Sequence, residues 1–318
     1  FVQHHSLGES DAFQDISRTN GGFSGGVSIH DDWAVKGGFQ VARNRFQYYP
    51  LRQDSLFEES DVDRSFLELN PHIGIEGYLG LWQIQANANY QFLKDNEGPK
   101  QNLLKFNGSV QKTWDDDNHF IIQLDAQTGK HQLDTSEAEL NKVELGARWS
   151  KLWSRWSSTI GIKLIGSEEF VVLPDITLGF ILHKDLAHLK LRAFGEAAPL
   201  SYQEVILENP FINSSSSLDL FQKHIGGDIA LEGKASALSY QGGVRYKKFQ
   251  SRSLFINDSL QNHLFNIISD DIDEWSIFGH VNFEIDDHFE VGLNMEKFFY
   301  TTKNQEKPYH LPGYNLHI

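Results

Sequence analysis

The 318-residue sequence contains no cysteine. That excludes a disulfide-stapled scaffold, a thiolate metal site and a cysteine nucleophile. Basic residues are outnumbered: 28 Lys and Arg stand against 43 Asp and Glu, a formal net charge of −15. Without a clustered basic block the chain cannot neutralise a run of phosphates, which excludes nucleic acid as a partner. No stretch of about 18 apolar residues occurs, so no membrane-crossing helix is encoded. The chain opens on Phe1 with no signal peptide or initiator Met, and reads as a mature product, a fragment or the ordered part of something longer. The motifs G-x-S-x-G, H-E-x-x-H and the P-loop are missing as well. His4-His5 lies near Glu9, Asp11 and Asp15 in no recognised ligand spacing. Asp115-Asp116-Asp117-Asn118 and Asp95-Asn96-Glu97-Gly98 lack the full calcium-loop spacing and read as turn formers. Ser214–Ser217 reads as a loop tip. The expectation is a non-enzyme with no catalytic, cofactor or metal residues. Ser, His and Asp are nonetheless plentiful enough to form a surface triad by chance, so a hydrolase stays open as a distant third reading.

What the chain does have is alternation. Over residues 81–92, Trp82, Ile84, Ala86, Ala88, Tyr90 and Phe92 alternate with Gln83, Gln85, Asn87, Asn89 and Gln91. A period of two puts the first set on one face of a strand and the second on the other, and no helical face can be drawn through either. The same pattern recurs at 143–150, 238–247, 275–285 and 289–296. It predicts strands near 21–30, 33–48, 65–78, 81–94, 102–114, 119–132, 139–150, 154–165, 170–183, 187–198, 218–231, 236–249, 274–285, 288–300 and 312–318. The connections alternate too. Short turns (31–32, Gly80, 115–118, 152–153, 184–185, 233–234, 286–287) take turns with longer polar stretches (49–64, 95–101, 133–138, 166–169, 199–217, 250–273, 301–311).

Short turns at one end and long loops at the other are the pattern of an up-and-down transmembrane barrel. Six of the seven tryptophans, Trp33, Trp82, Trp114, Trp149, Trp153 and Trp156, fall beside short turns. Phe46, Tyr48, Tyr49, Tyr90, Phe92, Phe298, Phe299 and Tyr300 lie near the long-loop ends. These are expected to be the two interfacial girdles of such a barrel. About eight strands already fill a barrel interior with side chains. A wider one must therefore turn its apolar face, including Val281 and Leu293, toward lipid and its polar face toward a wet or plugged lumen. Parity assigns Gln83, Gln85, Asn87, Asn89, Arg148, Lys190, Arg192, Glu196, Arg245, His280, Asn282 and Glu284 to that lumen, a wall of mixed sign with abundant amides. A selective ion pore more often concentrates one sign at a constriction.

The fold class expected is therefore all-β: a transmembrane antiparallel barrel of about 16 or more strands, forming one domain over residues 1–318. If short turns are periplasmic, strand 21–30 descends, so a rising strand must precede it. Phe1-Val2-Gln3-His4-His5 is read as its tip, with further strands or a plug expected upstream.

Three segments carry a resemblance: Ile206-Leu207-Glu208-Asn209-Pro210-Phe211-Ile212, the preceding residues 193–204 with the opening 1–6, and Tyr309-His310-Leu311-Pro312-Gly313-Tyr314-Asn315. They resemble pieces of the Gram-negative outer-membrane barrels called TonB-dependent receptor-like. The resemblance covers short pieces and implies the barrel portion of such a protein. No TonB box or plug is legible in these residues, so energised uptake is not carried over. The function expected is transport across the outer membrane, or service as a barrel subunit of an envelope complex. The alternatives are a passive porin or a structural accessory barrel of a secretion or assembly machine. Expected partners are outer-membrane lipid and lipopolysaccharide, together with envelope proteins held through loops 199–217 and 250–273. Those loops are unusually rich in hydrophobics, which are expected either to cover the lumen or to hold a partner, with residues 262–268 alternatively extending a strand beyond the membrane.

Overall fold

The structure, a computed structural model, describes residues 2–8, 15–47, 63–115, 117–133, 136–184, 186–213, 216, 221–258, 264–286 and 289–317. Nearly all of these are strand. The elements in chain order are β1 (Val2–Gly8), β2 (Asp15–His30), β3 (Trp33–Gln47), β4 (Asp63–Leu79), β5 (Trp82–Asp95), β6 (Lys100–Asp115), β7 (Asn118–Gln132), β8 (Glu137–Glu139), β9 (Lys142–Leu152), β10 (Trp156–Gly166), β11 (Phe170–His183) and β12 (Ala187–Pro199). They continue with α1 (Tyr202–Glu208), β13 (Phe221–Ala235), β14 (Leu238–Asn257), β15 (Phe265–Asp286), β16 (Phe289–Thr302) and β17 (Tyr314–His317).

Sequential strands pair antiparallel from β1 through to β17. β8 and β9 both pair with β7, at Lys130–Gln132 and Asn118–Gln127 respectively, so they are two parts of one interrupted strand. The described residues thus form a sixteen-strand up-and-down barrel wall. β1 supplies the rising strand expected at residues 1–5. Among the described residues no helix is long and apolar enough to cross a membrane. Every second connection spans only two or three residues between strand ends: 31–32, 80–81, 116–117, 153–155, 184–186, 236–237 and 287–288. Gly80, at φ 61°, occupies the left-handed region that the β4–β5 turn requires.

Register decides which face each side chain takes, because residues directly opposite in a ladder point the same way. One row across the wall reads Gln85, Ser109, Gln123, Gly146 and Lys163. The adjacent row reads Ala86, Gly108, Leu124, Leu145, Leu164 and Val172. The second kind of row is apolar yet uncovered: Ile73, Val172, Ile229 and Ile277 are each more than half exposed. A face this greasy and continuous is stable only in hydrocarbon, where every strand N–H and C=O must already be paired within the wall.

Trp33, Trp82, Trp114, Trp149 and Trp156 lie on the apolar face next to short turns, with Trp153 in the β9–β10 turn. Trp153 and Trp156 stack with centroids 3.7 Å apart, and Trp149 meets Trp153 edge-on at 6.2 Å. The long-loop girdle needs correcting. Register turns Phe46, Phe298 and Tyr300 inward, leaving Tyr90, Phe92 and Phe299 on the outer face. Tyr48 and Tyr49 lie outside the described residues.

Segment 250–273 is not the loop expected. β14 and β15 run on through it, with Leu254, Phe255 and Ile256 paired to Ile268, Ile267 and Asn266 after a register shift between Phe249 and Arg252. These hydrophobics are strand residues, and Phe255, with Ile267 beside it, packs against the element described next. Nor is 199–217 simply polar loop, since it contains α1. Two other connections expected to be long are short, 96–99 and 167–169, while those at 48–62 and 303–313 stay long.

The facing predicts an asymmetric response to charge. Val281→Arg or Leu293→Arg should each lower stability by roughly 2–4 kcal/mol at membrane mid-depth, whereas Asn282→Arg and Asn294→Arg should cost little. Denaturant titrations of the barrel refolded into lipid vesicles measure this, and equal losses in the two sets would contradict the facing.

Candidate functional site

The segment between β12 and β13 does not stand in solvent. Ser201 starts a helix there by a reciprocal cap: its hydroxyl accepts from the Glu204 N–H at 3.2 Å, and the Glu204 carboxylate accepts from the Ser201 N–H at 3.1 Å. Asn209 leaves the helical region at φ −144°, as a residue before proline should, and Pro210 stops the helix. The result is a two-turn strap, α1, whose Tyr202, Val205 and Ile206 are almost fully buried.

The strap reaches the opposite wall. Arg64 on β4 donates to Asp95 at the end of β5 (2.7 and 3.0 Å), to the Tyr202 hydroxyl (2.9 Å) and to the Ile212 carbonyl. Tyr202 donates in turn to Asp95. Arg64, Asp95 and Tyr202 are 4%, 0% and 0% exposed, so this clamp is dry. Burial pushes the Tyr202 phenol well above its ordinary range, with Arg64 opposing, and it therefore stays a neutral donor. Beside the clamp, the Gln203 side chain donates to Glu68 (2.9 Å) and accepts from Gln91, and its backbone N–H donates to the Gln101 side-chain oxygen at 3.3 Å. On the other flank, Asn213 and Asn266 both donate to Asp258 (3.0 and 2.8 Å), and Phe211 and Asn213 exchange backbone bonds with Phe265.

Around the strap lies a dry cluster of Phe66, Leu93, Leu133, Leu200, Tyr202, Val205, Ile206, Ile212 and Phe255. Segments more than a hundred residues apart in sequence meet here, with β4–β6 and β12–β15 facing one another across the long-loop end. Beneath it the polar wall continues. Asn44, Asn70, Gln91 and Gln101 each keep one amide atom without a hydrogen-bond partner.

The residues assigned to the lumen share this inner face. Gln83, Gln85, Asn87 and Asn89 lie opposite Gln111, Ser109, Asn107 and Lys105 in an amide-rich arc. The facing arc, β9 to β16, is built of ion pairs: Arg148–Asp175 at 3.6 Å, Lys190–Glu232 at 2.7 Å, Arg192–Asp228 at 3.0 Å, Arg245–Glu296 at 3.1 Å and Lys234–Glu284 at 2.7 Å. Glu196 comes to 3.9 Å from His224, while His280 contacts Asn294 and Asn282 contacts Glu290. Two cavities lie along this arc. One of about 690 Å³ is lined by Lys190, Arg192, Asp228, Arg245, His280 and Glu296 among others. The other, about 500 Å³, lies against the strap between Glu208 and the wall residues His224, Phe249, Arg252, Glu274 and Tyr300. Inward rings carry guanidinium groups over their faces, Arg252 on Phe249 at 4.2 Å and Arg245 on Phe278 at 4.7 Å. No cluster of three or more His, Cys, Asp or Glu side chains suited to a metal occurs among the described residues.

With this geometry in view, solved structures provide a match. The ferric enterobactin receptor PfeA of Pseudomonas aeruginosa, in complex with BCV-L6, superposes with a TM-score of 0.70 at 10% identity, over 95% of this chain and 55% of that one. The siderophore receptor PirA of Acinetobacter baumannii gives 0.69 at 9% identity, over 95% and 56%. The FrpB iron transporter of Neisseria meningitidis (F3-3 variant) gives 0.69 at 7%, over 91% and 53%. This chain shares the barrel fold of these proteins. At these identities the likeness is one of fold, and the chain spans about half the length of the structures it matches. No protein-family model and no curated protein sequence matches it.

Sequence reasoning placed the wall residues by parity but missed the strap. Its signal was present in Ser201-x-x-Glu204 followed by Val205-Ile206-Leu207 and closed by Asn209-Pro210. The partners of Tyr202 had no such signal, because Arg64 and Asp95 lie 138 and 107 residues away.

The clamp predicts a graded response. Arg64→Met strands the buried Asp95 carboxylate and should cost roughly 3–5 kcal/mol of strap docking. Tyr202→Phe removes only the hydroxyl and should cost about 1–3 kcal/mol. Amide hydrogen exchange across 201–213 reports both, and equal protection in wild type and Arg64→Met would contradict the clamp.

Proposed function

We propose that this chain is an outer-membrane transport barrel whose outer mouth is barred by α1, with passage requiring the strap to leave the β4–β6 wall. The observation that carries the reading is the Arg64–Asp95–Tyr202 clamp: a segment from the β12–β13 connection is fastened across the interior to β4 and β5. A loop that served only solvent would not bury a tyrosine and an ion pair inside the mouth. In this reading Gln83, Gln85, Asn87, Asn89, Arg148, Lys190, Arg192, Glu196, Arg245, His280, Asn282 and Glu284 line the passage. Trp33, Trp82, Trp114, Trp149, Trp153 and Trp156 hold the periplasmic interface, while Val281 and Leu293 face acyl chains.

The fold supports a transport role, since the structures it resembles are named as receptors for ferric enterobactin and other siderophores, as an iron transporter and, at a TM-score of 0.61, as the copper transporter OprC. The wall chemistry supports a polar solute. Its charges are mostly paired with one another, so it offers donors and acceptors of both signs rather than a single-sign filter. The strap also gives the hydrophobics of 199–217 and 250–273 a covering role within the chain, which is favoured here over holding an envelope partner.

Absence of native cysteine makes the test clean. Gln91→Cys with Gln203→Cys, joined by a short bismaleimide, ties the strap to the wall. In planar bilayers the untied variant should show intermittent conductance, Arg64→Met should conduct more often, and the tied pair should be silent. Conductance unchanged by tying, or silence in Arg64→Met as well, would overturn the gating role.

A further inference from the structure

The outer face near the long-loop end carries a feature that transport does not use. Following register from strand to strand, Arg43 on β3 lies opposite Leu67 on β4, Leu67 opposite Lys94 on β5, and Lys94 opposite Lys100 on β6. All four point away from the lumen, since their chain neighbours Asn44, Phe66, Leu93, Asp95 and Gln101 are the buried, inward ones. Arg43, Lys94 and Lys100 are exposed, and none of them has a hydrogen-bond or ion-pair partner among the described residues.

Among the described residues, nearby acids are committed or set apart. Asp63 is held by Arg45 at 2.8 Å, and Glu137 by Lys130 at 2.6 Å. Asp95 is buried in the clamp on the other side of the wall, and Glu97 lies at the tip of the β5–β6 turn. Lys94 and Lys100 are direct cross-strand partners flanking that turn. Like charges in that position, about 5 Å apart at Cβ, destabilise a hairpin unless an anion sits between them. Strands are about 4.8 Å apart, so Arg43 stands roughly 10 Å from Lys94, within reach of a second anionic group.

The level of the row in the membrane identifies the anion. Two residues nearer the short turns, the same strands present Val41, Leu69, Phe92 and Asn102, and two further on Phe39, Pro71, Tyr90 and Leu104. The cations therefore stand directly above the apolar band at headgroup height. The long loops mark that rim as the outer one. At the opposite rim the comparable cations are engaged with rings: Lys112 lies 5.0 and 5.2 Å from Trp82 and Trp114, and Lys151 lies 5.4 Å from Trp153.

We propose that Arg43, Lys94 and Lys100 form a binding site for the phosphates of lipopolysaccharide, the phosphorylated glycolipid of the outer leaflet, with its acyl chains against Leu69, Phe92 and Leu104. A row three strands wide suits a headgroup with more than one phosphate, and the apolar rows beneath suit several chains side by side. The site rests on the membrane facing of the wall and not on the transport reading, so bilayer conductance and lipid retention fail independently.

The experiment uses the full chain purified in lauryldimethylamine oxide, with Kdo2-lipid A as probe and native mass spectrometry as readout. Heat-modifiable gel mobility confirms that each variant is folded. The triple variant Arg43→Gln, Lys94→Gln, Lys100→Gln should lose affinity on the order of 100-fold. Lys112→Gln, at the other rim, should bind as wild type. The phosphate-free glycolipid and phosphatidylglycerol should both be held far more weakly than lipid A. Equal retention by the folded triple variant would overturn the site. Equal retention of the phosphate-free glycolipid would also overturn it, as would phosphatidylglycerol binding as tightly as lipid A.

Discussion

In hydrocarbon no water is available to satisfy a backbone amide, so a chain that crosses it by strands must pair each strand on both sides. The rest of this structure follows from that demand. Continuous pairing forces the period of two, the period of two sorts the chain into one apolar and one polar surface, and the width of sixteen strands leaves the polar surface around a space too large for its own side chains to fill. The interior therefore has to be managed by other means. Here those means are ion pairs along β9–β16, amides along β5–β7 and a helix folded inward from the β12–β13 connection.

The two surfaces obey opposite rules for charge. Inside, cations and carboxylates find each other across strands, as at Arg192–Asp228 and Arg245–Glu296, and the wall neutralises itself. Outside, a charge is tolerated only where the chain leaves the acyl region. There it meets either a ring, as Lys112 does, or no partner among the described residues, as with Arg43, Lys94 and Lys100. The contrast between an interior whose charges are mostly paired and an outer row without a partner among the described residues sets that row apart as a surface shaped for an anion.

Much of this was legible in the amino-acid order because it depends on local alternation. The strand at 81–92 needed no partner to be recognised, and the inward facing of Gln83 to Asn89 follows from parity alone. What could not be read depends on contacts between distant residues. Leu254, Phe255 and Ile256 look like loop hydrophobics until Ile267 and Ile268 are placed opposite them and the strap beneath. Phe298 and Tyr300 look like girdle residues until register turns them inward. The cation row is spread over residues 43, 94 and 100, and only the pairing of four strands brings it together.

The contact map of this molecule has an order in time built into it. Nearly every pairing joins neighbours in the chain, so hairpins can form without closing large loops and the wall can grow by local steps. The α1 contacts are the exception: Tyr202 must find Asp95 across 107 residues and Ile212 must find Arg64 across 148. Contacts of that separation gain nothing until the sheet has curved enough to bring its two sides together. Docking of α1 is therefore a late event of assembly, one that waits until the wall has curved.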